Sequence, residues 1–337
     1  MSANTMGRIY QDFEIRTGPQ LGEGYPFIAC GPGGARAAVG YFQLPFAWEE
    51  IEPALAILRT ASRSRKPLSA TTLAAEGVSL QDIGRQLYDA LFDQPAGRIY
   101  SKCLEEANGR LRLRLTISQP ELARLPWEYL HNGQKFLCLD LETPIVRGVV
   151  TKPWPVRLER PLRLLIVGAS PLDQDALEIG RERQIIEEEL SRAVQRGDLI
   201  VRHLVGKRME RDLPHVLLEF APHVLHFAGH GTLDGLVLED SAGRSRPVTG
   251  TSLRDLLCNI KSLHLVVLNA CELGMAHERK RLSVAARLVQ VGIPMAVGMQ
   301  FQISDRGAVA FSEGFYEALA QRLPLEAATV WARVRIS

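Results

Sequence analysis

The sequence has no long hydrophobic run and only five cysteines among its 337 residues. No apolar stretch approaches the roughly 20 residues that a membrane-spanning helix needs. The N-terminus also lacks the basic segment and apolar run of a secretory signal. The cysteines are scattered, odd in number and without C-x-x-C spacing, which disfavours a disulfide framework and a zinc ribbon. We therefore expect a cytoplasmic protein with a free thiol and no membrane partner.

The chain also lacks an excess of charge of either sign. Lys and Arg number 40 against 38 Asp and Glu, which gives a formal net charge of +2. Proteins that bind nucleic acid usually carry a marked basic excess, so we expect no direct nucleic-acid partner. Hydrophobic residues make up 46% and charged residues 23%, values typical of globular proteins, and the length predicts two domains.

Residues 1–155 predict a mixed α/β region. Their apolar residues alternate as in strands at 8–16, 25–30, 37–44 and 111–117, and further strands are predicted at 135–139 and 144–150. Helical spacing appears over 48–58 and 83–91, the latter behind Ser79 as a candidate N-cap. Residues 151–160 contain two prolines and basic side chains, so they predict a linker, and we place the domain boundary at residue 155.

Residues 156–337 alternate apolar strands with helical segments. Strands are predicted at 162–167, 199–205, 223–228, 236–238, 263–268 and 295–299. Helices are predicted at 178–195, 208–220, 252–258, 282–291 and 305–321. This order is typical of a mostly parallel sheet that is covered by helices on both faces. The charged triplets at 181–183 and 187–189 predict a solvated helix face.

Two reactive segments follow predicted strands of this sheet. His226-Phe-Ala-Gly-His230-Gly231 follows one strand, and Asn269-Ala-Cys271-Glu-Leu-Gly274 follows another. Ligands and catalytic groups gather at the carboxyl ends of parallel strands, which lie about 4.8 Å apart when adjacent. We therefore expect His230 and Cys271 to lie within reach of each other.

A histidine beside a cysteine favours nucleophilic catalysis, because the imidazole generates the thiolate and later protonates the leaving group. Glycines in both turns would let a substrate backbone approach. The amides of Gly231 and Cys271 are candidates for an oxyanion hole. No Asn or Asp stands at a position that clearly orients His230.

The sequence resembles the CHAT family of caspase-like cysteine peptidases, in the clan of caspases and separase. The resemblance rests on these two segments and on a third, Val297-Gly-Met-Gln300 through Ser304-Asp305. Leu113-Arg-Leu115 and Leu125-Pro-Trp-Glu-Tyr-Leu130 extend the resemblance upstream, so that it covers roughly residues 110–335. It implies a caspase-like three-layer α/β/α sandwich. It also implies His230 as the catalytic histidine and Cys271 as the nucleophile.

The resemblance implies a substrate pocket as well. In relatives, the residue two before the nucleophile lines the pocket for the acyl-side side chain, and here that residue is the neutral Asn269. Asp305 is the acidic candidate for binding a basic side chain. As the first residue of a predicted helix, Asp305 is equally well explained as an N-cap.

Other chemistries have less support in the sequence. His226, His230 and Cys271 lack a fourth zinc ligand with suitable spacing, so we expect no metal site, and His226 is better explained as a core histidine. A cysteine phosphatase would need an arginine six positions after Cys271, where His277 stands. Gly31-Pro-Gly-Gly34 lacks the remaining glycine and lysine of a phosphate loop, so we expect no cofactor.

The residues and the resemblance together predict a Cys-His endopeptidase that cleaves a protein substrate. The resemblance implies a regulated effector in a prokaryotic defence or stress pathway, activated by a sensor or partner protein in trans. Two alternatives stay open, a non-catalytic adaptor with the same fold and a cysteine-dependent acyl transferase. Labelling of Cys271 by an alkylating peptide probe would separate both catalytic functions from the adaptor.

Overall fold

A computed structural model of the chain describes residues 10–60, 79–93, 95–149, 159–232, 234–270, 283–300 and 303–336. Packing divides the chain into two compact units, Met1–Val149 with Glu317–Ser337, and Val150–Tyr316. The predicted linker, 151–160, falls mostly outside the described residues, so the boundary at residue 155 stays a prediction. In the described ranges no helix has the length and apolar character to cross a membrane.

The strands are β1 Gln11–Thr17, β2 Gly24–Cys30, β3 Ala37–Gln43, β4 Leu111–Thr116, β5 Ile145–Gly148, β6 Leu162–Ala169, β7 Leu199–Val205, β8 Val224–Gly229, β9 Gly231–Thr232, β10 Gly235–Glu239, β11 Ser245–Thr249, β12 Leu265–Asn269 and β13 Met295–Gly298. The helices are α1 Trp48–Thr60, α2 Leu80–Phe92, α3 Ala96–Glu106, α4 Pro120–Ala123, α5 Ile179–Gln195, α6 Met209–Phe220, α7 Gly250–Leu257, α8 Val284–Gln290, α9 Asp305–Ala320 and α10 Leu325–Ile336.

The first unit contains a mixed sheet with the strand order β3-β2-β1-β4-β5. The β1–β2 and β2–β3 pairs are antiparallel, whereas β4 pairs in parallel with β1 and β5. Ser79 caps α2 as predicted, since its Oγ accepts the Asp82 N–H at 3.1 Å. The strand predicted at 135–139 is wrong, because a 3-10 turn, Leu137–Leu139, lies there instead. Leu137 and Cys138 are both buried, which breaks the alternation of a half-buried strand.

The second unit is built on a parallel sheet with the order β13-β12-β8-β6-β7. One face of this sheet buries Val167, Phe227 and Leu268 in a core with α6, α7 and α8. The opposite face carries His226 and Asn269, which bond to side chains of α5 and α9. Apolar strands between two helical layers form a three-layer α/β/α sandwich, so the predicted fold class is confirmed.

A small antiparallel sheet, β11-β10-β9, follows β8 directly. The sequence predicts β10 but not β11, whose residues Ser245, Arg246 and Pro247 lack an apolar alternation. Proline within a strand is confined mainly to edges, and β11 is an edge strand here. We refer to β10 and β11 with the turn between them as the β10–β11 hairpin.

Candidate functional site

His230 stands where β8 ends and the small antiparallel sheet begins. The preceding residue, Gly229, is crowded, because an added Cβ would lie 2.8 Å from the Phe227 ring and 2.9 Å from the Ala169 carbonyl oxygen. No larger residue fits there without a shift of the backbone. The close packing at Gly229 fixes the path of the chain into the partly buried His230.

The ring of His230 is oriented by a main-chain carbonyl. Its Nε2 lies 2.8 Å from the carbonyl oxygen of Asp175, in the segment between β6 and α5. A carbonyl oxygen can only accept, so Nε2 must carry the hydrogen. In the neutral ring the lone pair is then on Nδ1, which is the nitrogen able to accept a proton.

The main-chain N–H of Gly231 does not donate a hydrogen bond to β10. Val237 donates its N–H to the His230 carbonyl at 3.0 Å, which makes residues 230 and 237 a hydrogen-bonded pair. Gly231 lies opposite Leu236 in the next pair. Because bonded and non-bonded pairs alternate in an antiparallel ladder, the Gly231 N–H is directed away from β10.

The pairing of β8 with β12 places the residues before His230 and the described start of the second segment, Asn269 and Ala270, at one edge of the sheet. The strands are adjacent and parallel, with Asn269 opposite Ala228. His230 follows Ala228 by two positions, and Cys271 follows Asn269 by two positions in the sequence. Cys271 and Gly274 lie outside the described residues, so the roles predicted for Cys271 as nucleophile and amide donor stay predictions.

Asn269 is buried, with 4% of its surface exposed. Its Nδ2 lies 2.6 Å from Glu182 Oε1 and 3.0 Å from the carbonyl oxygen of Ala308. Both neighbours only accept hydrogen bonds, so the amide nitrogen must face them. The other amide atom, Oδ1, is then directed away from Glu182, and it is buried without a partner among the described residues. The predicted contact of Asn269 with substrate stays a prediction.

Glu182 is the centre of this buried cluster. Its Oε1 accepts from His226 Nε2 at 2.9 Å, from Asn269 Nδ2 and from Ser312 Oγ at 2.6 Å. The solvated face predicted for 181–183 is therefore wrong at Glu182, which is 5% exposed. Helical spacing could have identified it, since Glu182 precedes the buried Ile185 by three positions.

His226 has the core position predicted for it. Its Nε2 is engaged by Glu182, and its Nδ1 lies 3.0 Å from the Tyr316 hydroxyl. With the hydrogen on Nε2, the Tyr316 O–H donates to Nδ1, so both ring nitrogens are occupied. Burial raises the pKa of Tyr316 well above its usual range, and the Glu182 carboxylate adds to this effect. Within the described part of the chain, no group of three His, Cys, Asp or Glu is placed to hold a metal ion.

Asp305 begins α9 but does not cap it. The cap is Ser304, whose Oγ accepts the Gly307 N–H at 3.1 Å and whose carbonyl accepts the Ala308 N–H at 2.8 Å. The N-cap of this helix is therefore Ser304, and the explanation of Asp305 as the N-cap is wrong. Its predicted contact with a basic substrate side chain stays a prediction.

Two curated relatives and a solved structure are among the known proteins to which this chain is similar. Both relatives are named Roc-COR-CHAT protease: one, from an unknown prokaryotic organism, is 23% identical over 47% of this chain, and the other, from Runella zeae, is 26% identical over 58%. These matches span only 15% and 20% of the relatives' own lengths. The structure of the Arg specific cysteine proteinase gingipain R aligns with a TM-score of 0.42 at 11% identity, covering 86% of this chain and 70% of that one.

A family model described as the CHAT domain matches residues 81–337. The match includes α2 and α3 of the first unit as well as the whole described part of the parallel sheet. It therefore starts earlier than the resemblance at residue 110. Since it spans well over half of the sequence, the chain belongs to the CHAT domain family.

Proposed function

We propose that the chain is a cysteine endopeptidase in which Cys271 is the nucleophile and His230 the general base and acid. The observation that carries the proposal is the hydrogen bond from His230 Nε2 to the Asp175 carbonyl, because it leaves Nδ1 as the basic nitrogen. His230 follows β8, and β8 pairs with the strand that leads in sequence to Cys271. The family and the protease names of its relatives support the same function.

Acylation begins with transfer of the Cys271 thiol proton to His230 Nδ1. The thiolate attacks the carbonyl carbon of the scissile peptide bond and forms a tetrahedral intermediate. Nδ1–H then protonates the leaving nitrogen, the C–N bond breaks, and an amine and a thioester result. In deacylation, His230 takes a proton from water, hydroxide attacks the thioester, and the acid product leaves as the thiol is restored.

The main-chain N–H groups of Gly231 and Cys271 stabilise the negative charge on the oxygen of the tetrahedral intermediate. The direction of the Gly231 N–H, away from β10, supports its part in this oxyanion hole. Removal of one such donor costs about 3 kcal/mol in the activation barrier of other enzymes. We assign the acyl-side pocket to Asn269 and Asp305, with a slight preference for basic side chains.

The proposed setting is the cytoplasm of a prokaryote, where cleavage of a protein substrate is the output of a defence or stress pathway. A sensor or partner protein in trans would control the activity. The support for this setting is the CHAT family and the prokaryotic relatives.

The test combines a thiol-directed probe with a cleavage screen. The purified chain is treated with a peptide that carries an acyloxymethyl ketone, and the adduct is mapped by mass spectrometry. We expect the adduct on Cys271, and we expect new protein termini in a lysate treated with wild type but not with Cys271→Ala. Cys258 is a partly exposed thiol of the same unit and provides an internal control. An adduct spread equally over both thiols, without new termini, would favour the adaptor.

A further inference from the structure

The β10–β11 hairpin bonds to the main chain of His230 and to the loop that carries the acceptor of the His230 ring. On one side, Val237 of β10 donates its N–H to the main-chain carbonyl of His230. On the other side, the hairpin bonds to residues 170–178, which we call the 170–178 loop and which carry the Asp175 carbonyl. The hairpin is therefore attached to the backbone of His230 and to the loop whose Asp175 carbonyl accepts from the imidazole.

Asp173 links the loop to the hairpin by two hydrogen bonds. Its Oδ1 accepts both the N–H and the hydroxyl of Ser245, each at 2.8 Å. These two hydrogen bonds lower the pKa of the Asp173 carboxyl. Asp173 lies two residues before Asp175, so a bond at its carboxylate restrains the position of the carbonyl that His230 uses.

Two further contacts tie the start of the loop to the hairpin. The Leu172 N–H donates to the Gly243 carbonyl at 2.9 Å, and the Ser170 N–H donates to Oε1 of the buried Glu239 at 2.8 Å. Gly243 has φ +76°, a conformation that glycine adopts readily and other residues rarely. The loop is thus held at positions 170, 172 and 173 before it reaches Asp175.

We propose that Asp173 is a positioning residue for His230, which it orients by fixing the Asp175 carbonyl through Ser245. The inference rests on the proposed function. The Asp173–Ser245 bonds are the nearest of these ties to Asp175, and without them the loop keeps its bonds at positions 170 and 172 while the Asp175 carbonyl can shift relative to Nε2. Either ring nitrogen can then carry the hydrogen, and a fraction of the rings has its lone pair on Nε2 instead of on the basic Nδ1.

The first experiment measures the tautomer and needs no enzymatic activity. The full chain is labelled with ¹⁵N-histidine, and its neutral rings are observed by long-range ¹H–¹⁵N NMR, with the His230 signals assigned from His230→Ala. We expect the Nε2–H tautomer in wild type and a mixture with Nδ1–H in Asp173→Ala. Asp173→Asn should keep the wild-type tautomer, because an amide oxygen still accepts from Ser245. Asp198→Ala is the control, as it removes a surface carboxylate that bonds Arg160 and Arg196 away from the loop.

The second experiment measures cleavage of a peptide substrate by the same variants. Asp173→Ala should lower kcat by about 10-fold to 100-fold, the order of effect of misplaced reacting groups, with KM unchanged. Asp173→Asn should retain most of the wild-type kcat. Ser245→Ala removes only the hydrogen bond from the hydroxyl, so it should shift the tautomer ratio and kcat in the same direction as Asp173→Ala but by a smaller amount. It replaces Asp173→Ala in both experiments if that variant does not fold.

The outcomes separate this inference from the proposed function. If His230→Ala cleaves like wild type, the endopeptidase proposal fails while the NMR result still tests the positioning. If cleavage needs His230 but Asp173→Ala keeps the wild-type kcat, the inference is overturned. A pure Nε2–H tautomer in Asp173→Ala overturns it as well.

Discussion

The side-chain amide of Asn269 donates to Oε1 of Glu182 across 2.6 Å of protein interior, and the residue two positions after Asn269 in the sequence is Cys271. The carboxylate on α5 therefore anchors the end of the strand that leads to the proposed nucleophile. His226 and Ser312 bond to the same oxygen, so this anchor joins α5, β8, β12 and α9. A change at Glu182 is therefore expected to affect both the stability of the fold and the proposed nucleophile segment.

Glu182→Gln should destabilise the protein by about 1–3 kcal/mol, because three buried donors lose a charged acceptor. Urea unfolding followed by circular dichroism measures the difference. Glu188→Gln is the matched control on α5, since Glu188 is exposed and bonds Gln184. Its effect should stay within about 0.5 kcal/mol. Equal unfolding midpoints for wild type and Glu182→Gln would contradict the buried anchor.

Cys271→Ala and His230→Ala should each lower kcat/KM by at least about 10⁴-fold, and the double variant should lose scarcely more, because nucleophile and base act as one unit. Initial rates on a fluorogenic peptide give these values. His215→Ala and Cys258→Ala change an exposed histidine and a partly exposed thiol of the same unit and should leave the rates unchanged. Additive losses in the double variant would argue against a dyad.

Asp305→Asn should weaken cleavage after Arg or Lys far more than cleavage after Leu or Met. A peptide library compares the two profiles. Ser304→Ala is the control, because it removes the cap of α9 and costs about 1 kcal/mol of stability without touching the carboxylate. Identical profiles for wild type and Asp305→Asn would restrict Asp305 to stabilising the start of the helix.

Tyr316→Phe should make the free energy of unfolding less dependent on pH in alkali. The pKa of Tyr316 is raised in the folded protein, whereas the unfolded tyrosine ionises near pH 10. The stabilisation is therefore complete below pH 10 and is lost as the pH rises towards the folded pKa, by about 1.4 kcal/mol per pH unit. Urea unfolding at about pH 8 and about pH 11 measures the slope. An equal pH dependence of the unfolding free energy in wild type and Tyr316→Phe would contradict a raised pKa of Tyr316 in the folded protein.

The purified chain should be a latent enzyme that needs a partner or a proteolytic event for full activity. An always active protease would damage the cell, and a large part of the chain lies outside the parallel sheet. A shift from about 1% to 99% active needs roughly 5.5 kcal/mol of preference by the partner for the active state. Active-site titration with the Cys271 probe, alone and with candidate partners, measures the active fraction. Stoichiometric labelling and rapid turnover without a partner would contradict latency.

The parallel sheet was predictable because its central strands β6, β8 and β12 are mostly apolar. Burial on both faces requires such runs, and their spacing by helical segments identifies the architecture. The end of β8 was predictable too, since a glycine and a histidine directly follow an apolar strand there. The first unit was harder, because the turn at Leu137–Leu139 has the apolar content of a strand without its geometry.

The polar parts of the site were less accessible to sequence reasoning. Glu182 stands in a charged stretch typical of a solvated face, and only its spacing from Ile185 indicates burial. The pairing of Asp173 with Ser245 joins residues 72 positions apart through hydrogen bonds that no local pattern encodes.

The acceptor for His230 Nε2 is a main-chain oxygen, so a substitution of the residue that carries it does not remove it. Every amino acid at position 175 supplies the same carbonyl oxygen, and the side chain of Asp175 is exposed. A substitution at position 175 that keeps the conformation of the loop should therefore leave the orientation of His230 unchanged. The group that orients the proposed general base is thus set by the conformation of residues 170–178 and is not readable from any side chain in the sequence.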